Sequence, residues 1–147
     1  MERRFEFHLK EKGPGGRAVI DDYAHHPDEI RQSIASVRAL YPGRKLTVAF
    51  QPHLYSRTRD FADQFADALD GADEVVLIDL YPAREKPIPG ISSKTILDKL
   101  KNENKTLIPK ENFVDTMKNR NFEILLTLGA GDLNLFVPRL VEVLDKN

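Results

Sequence analysis

The sequence contains no cysteine among its 147 residues. A disulfide framework and a thiolate catalytic site are therefore both excluded, and the composition fits a reducing compartment. No apolar stretch approaches the roughly 18 residues that a membrane-spanning helix needs, and no signal peptide opens the chain. We therefore expect a cytoplasmic protein that has no membrane as a partner.

The chain also lacks an excess of charge of either sign. Its 22 Lys and Arg residues nearly balance 23 Asp and Glu residues, which gives a formal net charge of −1. That balance argues against nucleic acid as a partner and against an acidic tail. A chain of 147 residues suits one domain with its own core, and we expect residues 1–147 to form a single domain.

Apolar strands alternate with amphipathic helices along the sequence. We predict strands over residues 3–10, 17–21, 45–50, 74–80, 105–108 and 122–128. We predict helices over residues 27–40, 58–69, 92–101 and 111–118, with a closing helix that ends near residue 144. This pattern predicts an α/β fold, a Rossmann-like three-layer sandwich whose mostly parallel sheet gains an antiparallel edge from an N-terminal hairpin.

The junction after the second predicted strand concentrates polar and titratable side chains. Residues 21–27 have the sequence DDYAHHP and follow the buried apolar run 18–20. They lead into a helix that begins at Pro27, and proline is favoured at the first helical position. In open α/β sheets ligands bind at the carboxyl ends of the strands, and a turn alone needs no such side chains. This junction is therefore a candidate site.

Two further junctions are expected at the same edge of the sheet. Residues 51–60 have the sequence QPHLYSRTRD and follow another strand, and residues 129–132 have the sequence GAGD and follow the last one. Parallel topology would bring all these junctions together. Arg57 and Arg59 at a helix start weaken that helix slightly, but they would be useful there as a clamp on a carboxylate or phosphate. The sequence thus predicts an anion site.

Each of these features also has a purely structural interpretation. Asp21 or Asp22 could simply cap a turn, a histidine is more often structural than catalytic, and the arginines could form a solvated helix start. The glycines of the 129–132 segment resemble the start of a dinucleotide fingerprint. However, Asn134 occupies the third glycine position and no acidic partner follows. A tight turn is the better interpretation there, and NAD is not expected.

A metal site is the other alternative that the histidines raise. His25, His53 and a carboxylate could in principle bind zinc. Their spacing matches no HExxH-type motif, and the neighbouring arginines would repel a cation. We therefore predict no metal-binding residues in this chain.

Taken together and in order, these motifs are similar to those of the carboxy-terminal domain of the Mur ligases. The resemblance rests on DDYAHHP at 21–27, FQPHLYSRTRD at 50–60, YPARE and PIPG within 81–90, and LGAGDL at 128–133. Residues 3–5 resemble the family's junction between its central and carboxy-terminal domains. The similarity runs the length of the chain.

The resemblance implies an enzyme of peptidoglycan synthesis, and within the family it is greatest to the branch that joins L-alanine to UDP-N-acetylmuramate. These ligases use ATP to activate the muramyl carboxylate as an acyl phosphate, which the amine of alanine attacks, and they require Mg²⁺. They have one domain for the UDP-sugar, a central domain that binds ATP through a Gly-rich phosphate loop, and a Rossmann-like domain that closes over the site. We expect residues 1–147 to be this last domain.

Roles for the site residues follow from the same resemblance. His25 would be the catalytic residue near the reacting phosphate and amine. Arg57 would hold the carboxylate of alanine, supported by His53 and Arg59. Positive charge placed in advance suits an amine that attacks an acyl phosphate.

Other roles are implied for the neighbours of these residues. Tyr23 would lie near the nucleotide, and Asp22 would orient the loop. His26 is expected among the substrate-binding residues, and the sequence does not separate its role from that of His25. Some family members have an arginine directly after the histidine of the second motif. Here that position is Leu54, so one cationic contact is missing.

No phosphate loop of the form GxxxxGKS or GxxxxGKT occurs in these residues. We therefore expect ATP and Mg²⁺ to be bound mainly by a central domain outside them. The chain would be a domain excised from a longer enzyme and inactive alone. The alternatives are the related ligase that attaches a whole peptide to UDP-N-acetylmuramate, a stand-alone α/β module that binds an anionic small molecule, and a metal hydrolase.

Overall fold

The computed structural model describes residues 5–145. The strands are Glu6–Lys10 (β1), Ala18–Asp22 (β2), Leu46–Phe50 (β3), Glu74–Ile78 (β4), Lys105–Ile108 (β5) and Ile124–Leu128 (β6). The α-helices are Pro27–Leu40 (α1), Tyr55–Leu69 (α2), Ser93–Leu97 (α3), Phe113–Lys118 (α4) and Val137–Asp145 (α5). Short 3₁₀ turns, Lys110–Asn112 and Leu133–Leu135, precede α4 and α5. No helix within the described residues is long and apolar enough to cross a membrane.

One sheet carries these strands in the order β1-β2-β6-β3-β4-β5. β1 runs antiparallel to β2, whereas every other neighbouring pair is parallel. β2, β3, β4 and β6 are buried along their whole length because helices cover both faces of the sheet. The predicted Rossmann-like three-layer α/β fold, with its antiparallel edge from an N-terminal hairpin, is confirmed.

Successive residues of each buried strand belong to different layers of the core. In β6, Leu126 packs in the cluster that contains Phe65 of α2, whereas Leu125 packs with Leu140 of α5. Side chains of a strand alternate between the two faces of the sheet. This alternation lets a strand with apolar residues on both faces pack against two layers of helices at once.

The strand order brings the junctions after β2, β3 and β6 to one edge of the sheet. β6 lies between β2 and β3, and Leu128 at its end is in register with both Asp22 and Phe50. The three strands therefore end at the same level. The segments that follow them are neighbours, as the sequence predicted.

The edge strand β1 departs from regular alternation. Its register with β2 shifts between Phe7 and Leu9, which is a β-bulge. Because of this shift, Phe5 packs against the core beneath α1 to α3, Leu9 packs against the opposite layer, and Phe7 is exposed. Arg3 and Arg4 of the predicted strand and of the family resemblance lie outside the described residues.

Three helices differ in length from the predicted ones. α4 begins at Phe113 rather than at residue 111, because Lys110–Asn112 form a 3₁₀ turn. α2 begins at Tyr55 rather than at residue 58, so the first arginine of the second junction lies inside the helix. α3 ends at Leu97 rather than at 101, because the amide of Leu100 bonds the carbonyl of Leu97 and tightens the chain. The carboxylate of Asp70 then accepts a hydrogen bond from the amide of Lys101 at 3.2 Å, which draws the chain away from the helix axis.

Gly129, the first residue of the third junction, lies close to the backbone at the end of β3. Its φ is +138°, and an added Cβ would lie 2.8 Å from the backbone oxygen of Gln51. We expect Gly129→Ala to lower the free energy of unfolding by about 3 kcal/mol, through backbone strain and overpacking. Gly15→Ala is the matched control, because an added Cβ there meets nothing within 4 Å and should change stability by less than about 0.5 kcal/mol. Urea unfolding followed by circular dichroism measures both, and equal midpoints would contradict the packing described for Gly129.

Candidate active site

The aspartates of the first junction hold the turn in place. Asp21 is buried, and its Oδ1 accepts a hydrogen bond from Thr127 Oγ1 of β6 at 2.6 Å. Asp22 is also buried, and its Oδ1 accepts a hydrogen bond from the amide of Ala24 at 3.2 Å. Its Oδ2 accepts another from Ser33 Oγ of α1 at 2.8 Å. Asp22 therefore ties the turn to the helix that follows it.

His25 is oriented by the backbone and by Glu29. Its Nδ1 lies 3.1 Å from the carbonyl oxygen of Tyr23 and 3.6 Å from Glu29 Oε1. The same Glu29 oxygen accepts hydrogen bonds from the amides of His25 and His26, each at 3.2 Å, and so caps the start of α1. His25 Nε2 bonds to no other group within residues 5–145, which leaves this nitrogen available to a ligand.

His53 lies beside His25 at the start of the second junction. The two ring centroids are 6.3 Å apart in an edge-to-face arrangement, and His53 stacks on Tyr81 at 5.8 Å. His53 Nδ1 is buried and has no hydrogen-bond partner among the residues that the structure describes. Burial first, and then the neighbouring Arg57 and His25, lower the pKa of His53 below its ordinary value of 6.5. These surroundings therefore favour the neutral imidazole of His53 over the charged one.

The two arginines of the second junction have different surroundings. Arg59 is exposed, and its Nε lies 2.8 Å from Oδ1 of the adjacent Asp60. Arg57 is half-buried, and within residues 5–145 its guanidinium makes neither a hydrogen bond nor an ion pair. Removing a charged group from water without giving it a partner is costly. An anionic ligand at Arg57 would supply the missing partner.

His26, the second histidine of the first junction, packs elsewhere. Its exposed ring lies 5.5 Å from the ring of Phe61 on α2, tilted by 54°. The ring of Tyr23 instead lies 5.3 Å from that of His25, edge to face. The structure therefore links part of the predicted site into one group, which we call the junction cluster: Tyr23, His25, His53 and Arg57.

Gln51 is a positioning residue that the sequence analysis missed. It is buried, its Nε2 donates to Asp132 Oδ1 at 2.8 Å, and its Oε1 accepts from the amide of Leu133 at 2.9 Å. Asp132 in turn pairs with Lys110 at 2.6 Å. Gln51 thus ties the end of β3, where His53 follows, to the segment after β6. Its signal in the sequence is a lone amide directly after the apolar strand.

The backbone of the third junction packs closely against Gln51 and Tyr81. An added Cβ at Gly131 would lie 2.4 Å from Gln51 Oε1 and 2.8 Å from Tyr81 Cβ. Glycine is required there because the backbone passes so close to these side chains. The structural interpretation of the glycines, a tight turn at the sheet edge, therefore accounts for them.

The junction cluster borders a cavity of about 590 Å³. Asp22, Tyr23 and His25 of the first junction line this cavity together with Phe5 and with polar and apolar residues of α1. The carboxylates of Asp22 and Glu29 already accept hydrogen bonds from the protein, and Arg57 would repel a cation. Among residues 5–145 no group of three His, Asp or Glu side chains is arranged to hold a metal ion. The positive charge of Arg57 at this edge would suit an anionic group.

The pKa of His53 depends on its burial and on its neighbours in the junction cluster, so it can be used to test their arrangement. We expect NMR titration of the His53 ring protons to give a pKa below 6.5, because burial and Arg57 both disfavour the charged imidazole. Arg57→Ala should raise that pKa, because the substitution removes a positive charge that disfavours the charged imidazole. A His53 pKa at or above 6.5, or one that Arg57→Ala leaves unchanged, would contradict the arrangement.

The fold and the junction cluster define a class of protein, and comparison with known families identifies it. The family model described as Mur ligase, glutamate ligase domain, matches residues 3–140, and the chain belongs to this family. Every residue of the junction cluster lies within the matched segment.

The similar proteins include ligases for one amino acid. The chain is 53% identical over 144 residues to the UDP-N-acetylmuramate–L-alanine ligase of Parabacteroides distasonis, with 98% of the chain and 30% of that protein covered. It is 50% identical over 147 residues to the ligase of the same name from Phocaeicola vulgatus, with 99% of the chain and 31% of that protein covered. The chain therefore spans somewhat less than a third of the length of these relatives.

A solved structure shows the same arrangement of strands and helices. The crystal structure of UDP-N-acetylmuramate–alanine ligase MurC from Thermotoga maritima matches with a TM-score of 0.78 and 30% sequence identity. The match covers 99% of the chain and 30% of that protein. Sequence and fold thus agree on the same group of relatives.

Proposed function

We propose that the chain acts as the carboxy-terminal domain of an ATP-dependent ligase that joins L-alanine to UDP-N-acetylmuramate in peptidoglycan synthesis. The observation that carries the proposal is the half-buried Arg57, which has no partner within residues 5–145 and lies beside His53. Identity of 53% to an L-alanine ligase supports alanine as the source of the anion. Residues 1–147 would work as one cytoplasmic domain that closes onto sugar-binding and ATP-binding parts formed by other residues.

Arg57 would bind the carboxylate of L-alanine. Its guanidinium can donate two parallel hydrogen bonds to a carboxylate, which fixes the orientation of the amino acid as well as its position. His53 would support this contact as a neutral imidazole, held by its stacking on Tyr81. Arg59 and His26 would contribute less to substrate binding, because Asp60 and Phe61 already occupy them.

His25 would act where the bond forms. Bound ATP supplies the phosphoryl group that converts the muramyl carboxylate into an acyl phosphate. The amine of L-alanine attacks the acyl carbon, the new amide bond forms, and the carbon–oxygen bond to phosphate breaks. The Nε2 of His25, which bonds to no other group within residues 5–145, can accept the proton that the amine loses or bond the departing phosphate. The carbonyl of Tyr23 holds the ring for this task.

Tyr23 and Asp22 would serve the nucleotide side of the site. Both line the cavity of about 590 Å³ beside the junction cluster, and the ring of Tyr23 would lie against the nucleotide. Asp22 would act indirectly, by holding the turn through Ala24 and Ser33. Mg²⁺ and most of ATP would be bound by residues outside these, because the chain has no phosphate loop and its junction cluster suits anions.

A chimeric enzyme tests the proposal. Residues 1–147 would replace the matching 30% of the Parabacteroides distasonis ligase, and ADP release would be measured with ATP, Mg²⁺, UDP-N-acetylmuramate and L-alanine. We expect release that depends on L-alanine, at a rate within about tenfold of the parent ligase, whereas the chain alone should release no ADP. Circular dichroism and size-exclusion chromatography on the chimera serve as the folding control.

The identity of the amine substrate distinguishes this proposal from the alternative functions. A folded chimera that ignores L-alanine but accepts a muropeptide-type tripeptide would favour the peptide-attaching ligase. ADP release by the chain alone would contradict the assignment of a closing domain. A hydrolase activity that needs no ATP and is abolished by a chelator would also contradict it, and would favour the metal hydrolase.

A further inference from the structure

The helix that carries Arg57 begins without a cap of its own. The residue before α2 is Leu54, which has φ of 71° and no side-chain hydrogen-bond acceptor. The first amides of a helix have no intrahelical partner, and here they lie in the half-buried wall of the site. These amides therefore need an acceptor from elsewhere in the chain.

Glu85 supplies this acceptor from the loop after β4. Its Oε1 accepts a hydrogen bond from the amide of Ser56 at 2.9 Å, and its Oε2 accepts one from Ser56 Oγ. These bonds and a further one from the amide of Tyr55 lower the pKa of Glu85 below its ordinary value. The negative charge of Glu85 near the first turn of α2 also interacts favourably with the positive end of the helix dipole.

The same loop holds the other side of the junction. The amide of Leu54 donates to the carbonyl of Tyr81 at 2.9 Å, and the amide of Tyr81 donates to the carbonyl of Pro52 at 2.8 Å. The Tyr81 ring stacks on His53. Residues 81–85 thus clamp the segment between β3 and α2 at both of its ends.

The hydrogen bonds of Glu85 go to Ser56 rather than to the adjacent Arg57. Arg57 follows Ser56 directly, yet no ion pair forms between Arg57 and Glu85 among the described residues. Both carboxylate oxygens of Glu85 are taken by Ser56. Glu85 therefore fixes the backbone of the turn at the residue before Arg57, and within the described residues the Arg57 guanidinium is not its partner.

We propose that Glu85 is a positioning residue for the amino-acid substrate: by bonding the first turn of α2 it places Arg57 to receive the substrate carboxylate. This inference rests on the proposed function for the identity of that substrate. Loss of Glu85 should therefore weaken binding of L-alanine selectively and leave the binding of ATP, which the proposed function assigns to other residues, unchanged.

The test compares Glu85→Ala with Ser92→Ala in the chimeric enzyme. Ser92 caps α3 by accepting a hydrogen bond from the amide of Lys94 at 3.1 Å, so its loss is a matched loss of a helix cap outside the junction cluster. We expect Glu85→Ala to raise the KM for L-alanine about tenfold with the KM for ATP unchanged. Ser92→Ala should lower Tm but leave both KM values unchanged. Glu85→Gln keeps one acceptor for the Ser56 amide and should fall between wild type and Glu85→Ala.

Amide hydrogen exchange at Ser56 in the 147-residue chain gives a second readout that needs no substrate. We expect faster exchange in Glu85→Ala and unchanged exchange in Ser92→Ala. Unchanged Ser56 exchange, or equal effects of Glu85→Ala and Ser92→Ala on the KM for L-alanine, would overturn the inference. If Glu85→Ala does not fold, the same comparisons with Glu85→Gln decide. A folded parent chimera that ignores L-alanine would instead refute the proposed function, and Ser56 exchange would still decide whether Glu85 orders the turn.

Discussion

Arg57→Ala is expected to lower kcat/KM for L-alanine at least about 100-fold in the chimeric enzyme, which corresponds to roughly 3 kcal/mol. Arg57 is half-buried and its guanidinium has no partner within residues 5–145, so a bound carboxylate would be its counter-ion. The loss should appear in the KM for L-alanine and leave the KM for ATP nearly unchanged. Arg57→Lys should recover only part of the loss, because an ammonium group cannot form the paired hydrogen bonds of a guanidinium.

Arg59→Ala is the matched control for this substitution. Arg59 lies on the same helix, carries the same charge and is exposed, and it pairs with the adjacent Asp60. We expect its loss to change kcat/KM for L-alanine less than about threefold, since exposed ion pairs contribute little. Steady-state kinetics with varied L-alanine measure both variants. Equal losses would show that long-range positive charge, and not a contact made by Arg57, binds the substrate.

His25→Ala is expected to lower kcat about 100-fold or more, with a small effect on the KM for L-alanine. A positioned proton acceptor commonly contributes a factor of that size or larger. His25 fits the role because its Nδ1 is held by the carbonyl of Tyr23 and its ring lies beside His53. Single-turnover measurements of amide-bond formation separate this chemical step from product release.

His26→Ala separates the two adjacent histidines. The ring of His26 packs on Phe61, and only its backbone amide bonds Glu29. Alanine keeps that amide, so we expect less than about a fivefold loss of kcat, with some loss of stability at the contact between α1 and α2. A larger loss of kcat in His26→Ala than in His25→Ala would reverse the assignment.

Much of the fold could be predicted from the sequence because the strands β3, β4 and β6 are short, mostly apolar runs with one polar residue each. Such runs are typical of a parallel sheet covered on both faces, and the alternating helices between them fix the three-layer arrangement. The bulge in β1 could not be predicted, since the alternation of Phe5, Phe7 and Leu9 looks regular in the sequence.

The site could be predicted in its location but not in its internal contacts. DDYAHHP marks the sheet edge, yet the pattern gives adjacent histidines no distinguishing feature until the start of α1 is known. Likewise, Arg57 and Arg59 look equivalent until Asp60 is seen to pair with only one of them. α2 begins at Tyr55, three residues before the predicted start. The acceptor for its first turn is Glu85, which comes from a different loop, so no local sequence pattern reveals it.

The most direct test of the account is a crystal structure of the chimeric enzyme with L-alanine, UDP-N-acetylmuramate and a non-hydrolysable ATP analogue. We expect the alanine carboxylate to lie within about 3 Å of the Arg57 guanidinium nitrogens, and His25 to face the reacting amine. L-Alanine bound entirely by the other domains, with the Arg57 side chain directed into solvent, would contradict it.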